Sequence, residues 1–139
     1  MIWDPLRKKN VALTPEEGVR QGFIKVLHEQ VGIPLHMMAS EVGFKFGSDV
    51  GGLEGVKRKE YRADIVVYDR AARPLMIAEC KRPEVELSDA VLQQALRYNR
   101  VLDVRYLALT NGTRTLLLKR EGETFVFLDQ VPTWEEMIG

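Results

Sequence analysis

Cysteine and histidine are scarce in this chain. Cys80 is the one cysteine, and His28 and His36 are the two histidines, so an internal disulfide is excluded and no zinc-ligand spacing exists. Long apolar runs are missing too. None approaches the roughly 18 residues of a membrane-crossing helix, and the start Met1-Ile2-Trp3-Asp4-Pro5 lacks the charged-then-apolar layout of a signal peptide. A cytoplasmic protein with no membrane segment is the expectation. Net charge is the third absence. With 20 basic and 20 acidic residues the formal charge is +0, so no global field draws the chain to nucleic acid and any such contact must come from local patches. The candidate patches are Arg7-Lys8-Lys9, Lys57-Arg58-Lys59 with Arg62, and Arg97 with Arg100; each serves equally well as a solvated surface run.

What is present is the material of one domain spanning 1–139. The length of 139 residues suffices for a single core and is short for two, and 45% hydrophobic content argues against disorder. Thr14-Pro15-Glu16-Glu17 carries the signature of a helix start: a capping side chain, a proline at the first helical position, then acids in the first turn. Val19, Phe23, Val26, Leu27 and Val31 continue at helical spacing, predicting a helix over 15–30. Gly18 and Gly22 weaken it by about 1 kcal/mol each, and as small residues one turn apart they suggest close packing. A strand is expected over 37–46, then a glycine-rich connection, Gly47-Ser48-Asp49-Val50-Gly51-Gly52. That loop lacks the Lys-Ser/Thr ending of a phosphate-cradling P-loop and reads as a plain connection.

The runs 61–68 and 75–81 flank the turn Asp69-Arg70-Ala71-Ala72-Arg73-Pro74 and predict a hairpin. Ser88 can cap a second helix reaching about Val101, with Leu92, Ala95, Leu96 and Leu102 in its apolar stripe. Strands follow at 105–110, 113–119 and 124–128, and 132–138 suggests a short terminal helix. Trp3 and Trp134 are expected to be packing anchors. The first three strands should meander and the second helix should cross over to the apolar strand at 105–110. The fold class is α/β, a mixed central sheet flanked by helices with an α-β-β-β-α-β core plus extra C-terminal strands.

The hairpin carries the chemistry. With its turn centred between Ala71 and Ala72, Asp64 falls opposite Glu79. Glu79 and Lys81 share a strand face, together with Val66 and Tyr68 beside Ile77 and Leu75, while Cys80 points the other way. Facing Cβ atoms in a sheet lie about 5 Å apart, close enough for two carboxylates to repel unless a cation bridges them. Mg²⁺ takes oxygen ligands and keeps several waters. Asp64, Glu79, the main-chain carbonyl of Cys80 and a phosphate oxygen would satisfy it, and Lys81 could orient the attacking water and offset phosphoryl charge. The matching reaction is phosphodiester hydrolysis. Taken alone the pattern is weak, because charged residues commonly finish strands and Lys81 could simply pair with either acid. Gln94 and Tyr98 add to it: they lie one turn apart on the second helix, at the border of its apolar stripe, where Gln94 could reach the sheet.

Asp64 followed by Glu79-Cys80-Lys81 and Gln94-x-x-x-Tyr98 resembles the PD-(D/E)xK nuclease superfamily and its RecB-like branch. More narrowly, Arg7-Lys8-Lys9, Ala12-Leu13-Thr14-Pro15-Glu16-Glu17, Arg62-Ala63-Asp64-Ile65-Val66-Val67-Tyr68-Asp69 and Thr110-Asn111-Gly112 are similar to the N-terminal domain of type I restriction enzyme R (HsdR) subunits, over nearly the whole chain. The resemblance implies a restriction-endonuclease-like fold and Mg²⁺-dependent cleavage of DNA, with Mn²⁺ as a substitute. It implies Asp64 and Glu79 as metal ligands, Lys81 as the catalytic lysine, and Gln94 and Tyr98 as DNA-positioning residues beside the site; Arg62, from the basic patch, is a further candidate nucleic-acid contact. A glutamate from the first helix completes such a site. The helical wheel puts Glu16 over the centre of the apolar face and Glu17 at its border, whereas the resemblance favours Glu17, followed by Arg20 three residues on; Glu17 is the choice carried forward. Ala63 stands where the family has proline. No Walker motif occurs before Gly139, so the expectation is a nuclease-like domain without a helicase motor, drawing specificity from a protein partner or a second copy. The alternative is a non-catalytic nucleic-acid-binding or scaffolding module of the same fold.

Overall fold

Thr14 does cap the first helix: its hydroxyl accepts from the Glu17 N–H at 3.1 Å, and Pro15 occupies the first turn. The computed structural model describes residues 1–46 and 59–139, apart from the side chains of Phe46, Lys59, Glu60, Tyr98, Arg100 and Val101. The glycine-rich stretch 47–52 and the basic residues at 57–58 lie outside the described residues. Along the chain come β1 (Ile2–Asp4), β2 (Lys9–Val11), α1 (Pro15–Val26), β3 (Met38–Phe46), β4 (Lys59–Tyr68), β5 (Pro74–Cys80), α2 (Asp89–Leu102), β6 (Tyr106–Thr110), β7 (Thr115–Glu121), β8 (Thr124–Phe127) and α3 (Trp134–Ile138). The helix expected over 15–30 is α1 extended by a wider π-type turn, Leu27–Val31, which stops at Gly32 in the left-handed conformation.

Strands β3 to β8 form one sheet in sequential order. All neighbours are antiparallel except β5 and β6, which run parallel because α2 crosses between them. The meander and the crossover stand as expected. Period-two alternation explains the layers. Ile65, Val67, Met76, Ala78, Cys80 and Ala108 pack against Val19 and Ile24 of α1 and Leu27 of the turn that follows it. On the other face, Leu107, Leu109 and Leu118 pack against Leu92 and Ala95 of α2, and Val66 and Ile77 pack near Leu102. The result is a mixed sheet between two helical layers.

Several expectations need correction. Pairing in the β4–β5 hairpin follows the predicted register at Val66↔Ile77 and Val67↔Met76, but a bulge shifts Tyr68 opposite Pro74 instead of Leu75. Trp3 is 56% exposed and anchors nothing, whereas Trp134 is buried. Gly18 and Gly22 do not support close packing: a Cβ on Gly22 would meet no atom within 4 Å, and both glycines border a groove of about 680 Å³. Asn111 and Gly112 make the expected turn after β6. Asn111 Oδ1 accepts from the Thr113 and Arg114 N–H groups, and Gly112, at φ +88°, passes so close to α1 that a Cβ would stand 3.2 Å from Val19.

Candidate active site

Asp64 sits where the sheet pairing lapses on both sides of β4. The β3–β4 ladder pairs Ser40 with Ile65 and Val42 with Ala63, skipping Glu41 and Asp64 between them. Glu41 itself has φ 54°, a left-handed backbone rare for a residue with a side chain. On the other side the β4–β5 ladder ends at Ile65↔Ala78, so the direct facing of Asp64 and Glu79 expected from the turn is not part of the ladder. The Cys80 N–H, freed from that ladder, donates to Asp64 Oδ2 at 2.8 Å. The lapse also changes which side of β4 faces which helix: Ile65 and Val67 pack toward α1, while Tyr61 lines a pocket with residues of α2.

That pocket, of about 130 Å³, gathers Tyr61 of β4, Glu79 and Lys81 at the end of β5, and Val91, Gln94 and Ala95 of α2. Three predicted site residues, Glu79, Lys81 and Gln94, are thus brought together. Lys81 lies one residue past β5, and its N–H still donates to the Thr110 carbonyl at 2.8 Å, which fixes the main chain there against β6. Glu79 is 9% exposed, and its Oε1 is buried with no hydrogen-bond partner among the described residues. Burial therefore pushes its carboxyl up to about 8; Lys81 and Arg20 oppose the rise and Glu16 adds to it. Asp64 is raised as well, chiefly by burial, although the Cys80 N–H and Arg20 favour its charged form. The Cys80 thiol is buried and pushed far up, so it is no nucleophile.

The two first-helix glutamates have different surroundings. Glu17 is turned toward two cations and an amide: Arg7 Nη2 and Gln21 Nε2 donate to it, and Arg20 Nε stands 3.5 Å from Oε2. Its oxygens are already engaged. Glu16 is half-buried, and its charge bears on both Asp64 and Glu79.

Arg7, read as part of a surface basic run, is instead bonded to Asp4, which is fully buried, and to Glu17. Arg62 on β4 is exposed, as is Gln94. Tyr98 belongs to α2, but its side chain lies outside the described residues. Sequence reasoning gave no role to Tyr61, which lines the pocket, or to Glu41 and Asp4, and noted Arg20 only as following Glu17; nothing local singled out Glu41 or Asp4. Among the described residues no three His, Cys, Asp or Glu side chains stand close enough together to hold a metal ion. The oxygens on offer are those of a few carboxylates and a main-chain carbonyl, which suit a hard cation that keeps most of its water shell.

The sheet order and flanking helices define the class, an α/β domain with the fold of an HsdR fragment. That fragment, from a type I restriction enzyme of Vibrio vulnificus YJ016, superposes with a TM-score of 0.63 over 92% of this chain and 25% of its own, at 21% identity. The chain belongs to the family described as Type I restriction enzyme R protein N terminus (HSDR_N), whose pattern matches residues 15–132. It is also 32% identical over 94 residues to the type I restriction enzyme EcoAI endonuclease subunit of Escherichia coli, an alignment covering 63% of this chain. The chain spans 12% of that relative's length. Among the described residues no helix is long and apolar enough to cross a membrane.

Proposed function

We propose that residues 1–139 act as one metal-dependent nuclease domain of the PD-(D/E)xK type, hydrolysing DNA phosphodiesters within a restriction system. The observation that carries this reading is Glu79: a carboxyl group with a buried oxygen that has no hydrogen-bond partner among the described residues, beside Lys81 in a pocket, with the neighbouring Cys80 N–H bonded to Asp64. A buried acid without a partner is costly, and such groups concentrate at functional sites. Asp64, Glu79 and the Cys80 carbonyl are the oxygens that would hold Mg²⁺ or Mn²⁺, with water filling the other positions. Bound there, the cation supplies a more acidic water and a Lewis acid for a phosphate oxygen.

The chain's own residues do the rest. Lys81, fixed at the pocket mouth by its main-chain bond to β6, orients the attacking water and offsets charge developing on the phosphoryl oxygens. Gln94 offers an amide from α2 to the DNA beside the scissile phosphate, and Tyr98 follows one turn later. Arg62, exposed on β4, offers a phosphate contact. The chain is electrically neutral, so recognition of a DNA target rests on a protein partner or a second copy.

A binding-module reading draws on the absence of a three-acid cluster among the described residues. Plasmid nicking with Mg²⁺ or Mn²⁺ separates the two. Nicking by the wild type that is lost in Asp64→Ala and Lys81→Ala supports the nuclease. Equal nicking by all three overturns the site assignment, and DNA binding without nicking by the wild type favours the module.

A further inference from the structure

Arg20 is 5% exposed, and its guanidinium is surrounded by three carboxylates from three different elements. Nε stands 3.5 Å from Glu17 of α1, Nη1 3.3 Å from Glu41 of β3, and Nη2 3.4 Å from Asp64 Oδ1 of β4. Nη2 donates a hydrogen bond to Asp64; Nε and Nη1 make ion pairs without aligned hydrogen bonds. Two of the same acids are held from behind. Arg7 bonds to Glu17 and stands 3.5 Å from Glu41, and Arg7 is itself fixed by the buried Asp4 of β1. The chain of contacts runs from Asp4 through Arg7, then Glu17 and Glu41, to Arg20 and finally Asp64. It ends on the one residue of β4 at which both flanking ladders lapse. With no ladder to hold it there, Asp64 is oriented, among the described residues, by two hydrogen bonds, from the Cys80 N–H to Oδ2 and from Arg20 to Oδ1.

We propose that Arg20 is the positioning residue for Asp64, and that Arg7 of the N-terminal hairpin positions Arg20 through Glu17 and Glu41. The proposal rests on the nuclease reading above, since it gives Arg20 the task of aiming a cation ligand. A guanidinium suits this role because its planar fork presents several N–H groups in fixed directions; an ammonium carries the same charge but cannot span three acids. The fork leaves lone pairs of Asp64 free, because each carboxylate oxygen accepts more than one contact.

Charge and geometry make opposite predictions. A cation beside a metal site repels the incoming ion, so if Arg20 were only a counter-charge, removing it would tighten metal binding. If Arg20 aims Asp64, its loss weakens binding by about tenfold or more, the usual effect of disturbing a group that orients a ligand.

The test is Mn²⁺ titration followed by the electron paramagnetic resonance of the free ion, on wild type, Arg20→Lys, Arg20→Gln and Asp64→Ala, with thermal unfolding recorded for each. Arg20→Lys is the decisive variant, since it keeps charge and stem and loses only the fork. The expected result is a folded Arg20→Lys protein binding Mn²⁺ about tenfold more weakly than wild type, with Arg20→Gln weaker still if it folds. Wild-type affinity in folded Arg20→Lys, or tighter binding in Arg20→Gln, overturns the positioning role. Absence of Mn²⁺ binding by the wild type overturns the nuclease reading itself, and with it the role given to Arg20. Binding that disappears in Asp64→Ala but is unchanged in Arg20→Lys overturns this inference alone.

Discussion

Asp4 and Glu79 are carboxylates of similar burial, 0% and 9% exposed, yet the fold surrounds them differently. Asp4 accepts from the Arg7 side chain and the Leu6 N–H; burial alone would raise its pKa, but these bonds hold it below the usual carboxylate range. Glu79 Oε1 has no such bond among the described residues, and burial pushes the carboxyl up to about 8. One acid is bonded throughout and serves the structure, fastening the N-terminal hairpin to α1. The other is left short of partners at the mouth of a pocket. Burial of an acid therefore says little about its role until its partners are counted.

The largest expected effect breaks the comparison at the pocket. Lys81→Ala lowers the rate of plasmid nicking by about a hundredfold to a thousandfold, as for removal of a preorganised group facing transition-state charge, while folded Asp4→Ala, which removes a carboxylate that reaches the site only through Arg7 and Arg20, lowers it far less. Second, Asp4→Ala costs about 3 kcal/mol of stability in urea unfolding, because it leaves the Arg7 guanidinium, which is only 18% exposed, without its buried partner.

Third, the two acids tilt the pH dependence of stability in opposite directions, measured without divalent cations. The folded pKa of Asp4 lies below its ordinary value of 3.8, so its contribution is present above that pH and is lost as pH falls further. The folded pKa of Glu79, about 8, lies above its ordinary value of 4.5, so its contribution is complete below 4.5 and is lost as pH rises through 8. The midpoint of thermal unfolding should decline between those values, and Glu79→Gln should flatten the decline. Smallest is an external control: Asp103 pairs with Arg120 but is 89% exposed, so Asp103→Asn changes stability by about 0.5 kcal/mol or less.

The hairpin, its turn and the pairing of Val66 with Ile77 were legible because alternation and a turn suffice to set register. The crossover by α2 followed from a capped helix leading to an all-apolar strand. The β1–β2 hairpin was not legible: its strands are three residues each, and its turn places Lys8, not glycine or asparagine, at φ 54°. The lapse at Asp64 was hidden for the same reason, since the left-handed residue opposite it is Glu41. Arg7 looked like a surface cation because its partner Asp4 becomes a buried neighbour only when the chain turns back at Pro5.

Calorimetric Mn²⁺ titration at neutral pH, comparing wild type with Glu79→Gln in buffers of different ionisation enthalpy, tests the central claim most directly. A cation that binds at Glu79 must displace the proton that burial keeps there, so the account predicts binding by the wild type with proton release, and loss of both in a folded Glu79→Gln protein. Equal affinity and equal proton release in the two proteins would contradict it.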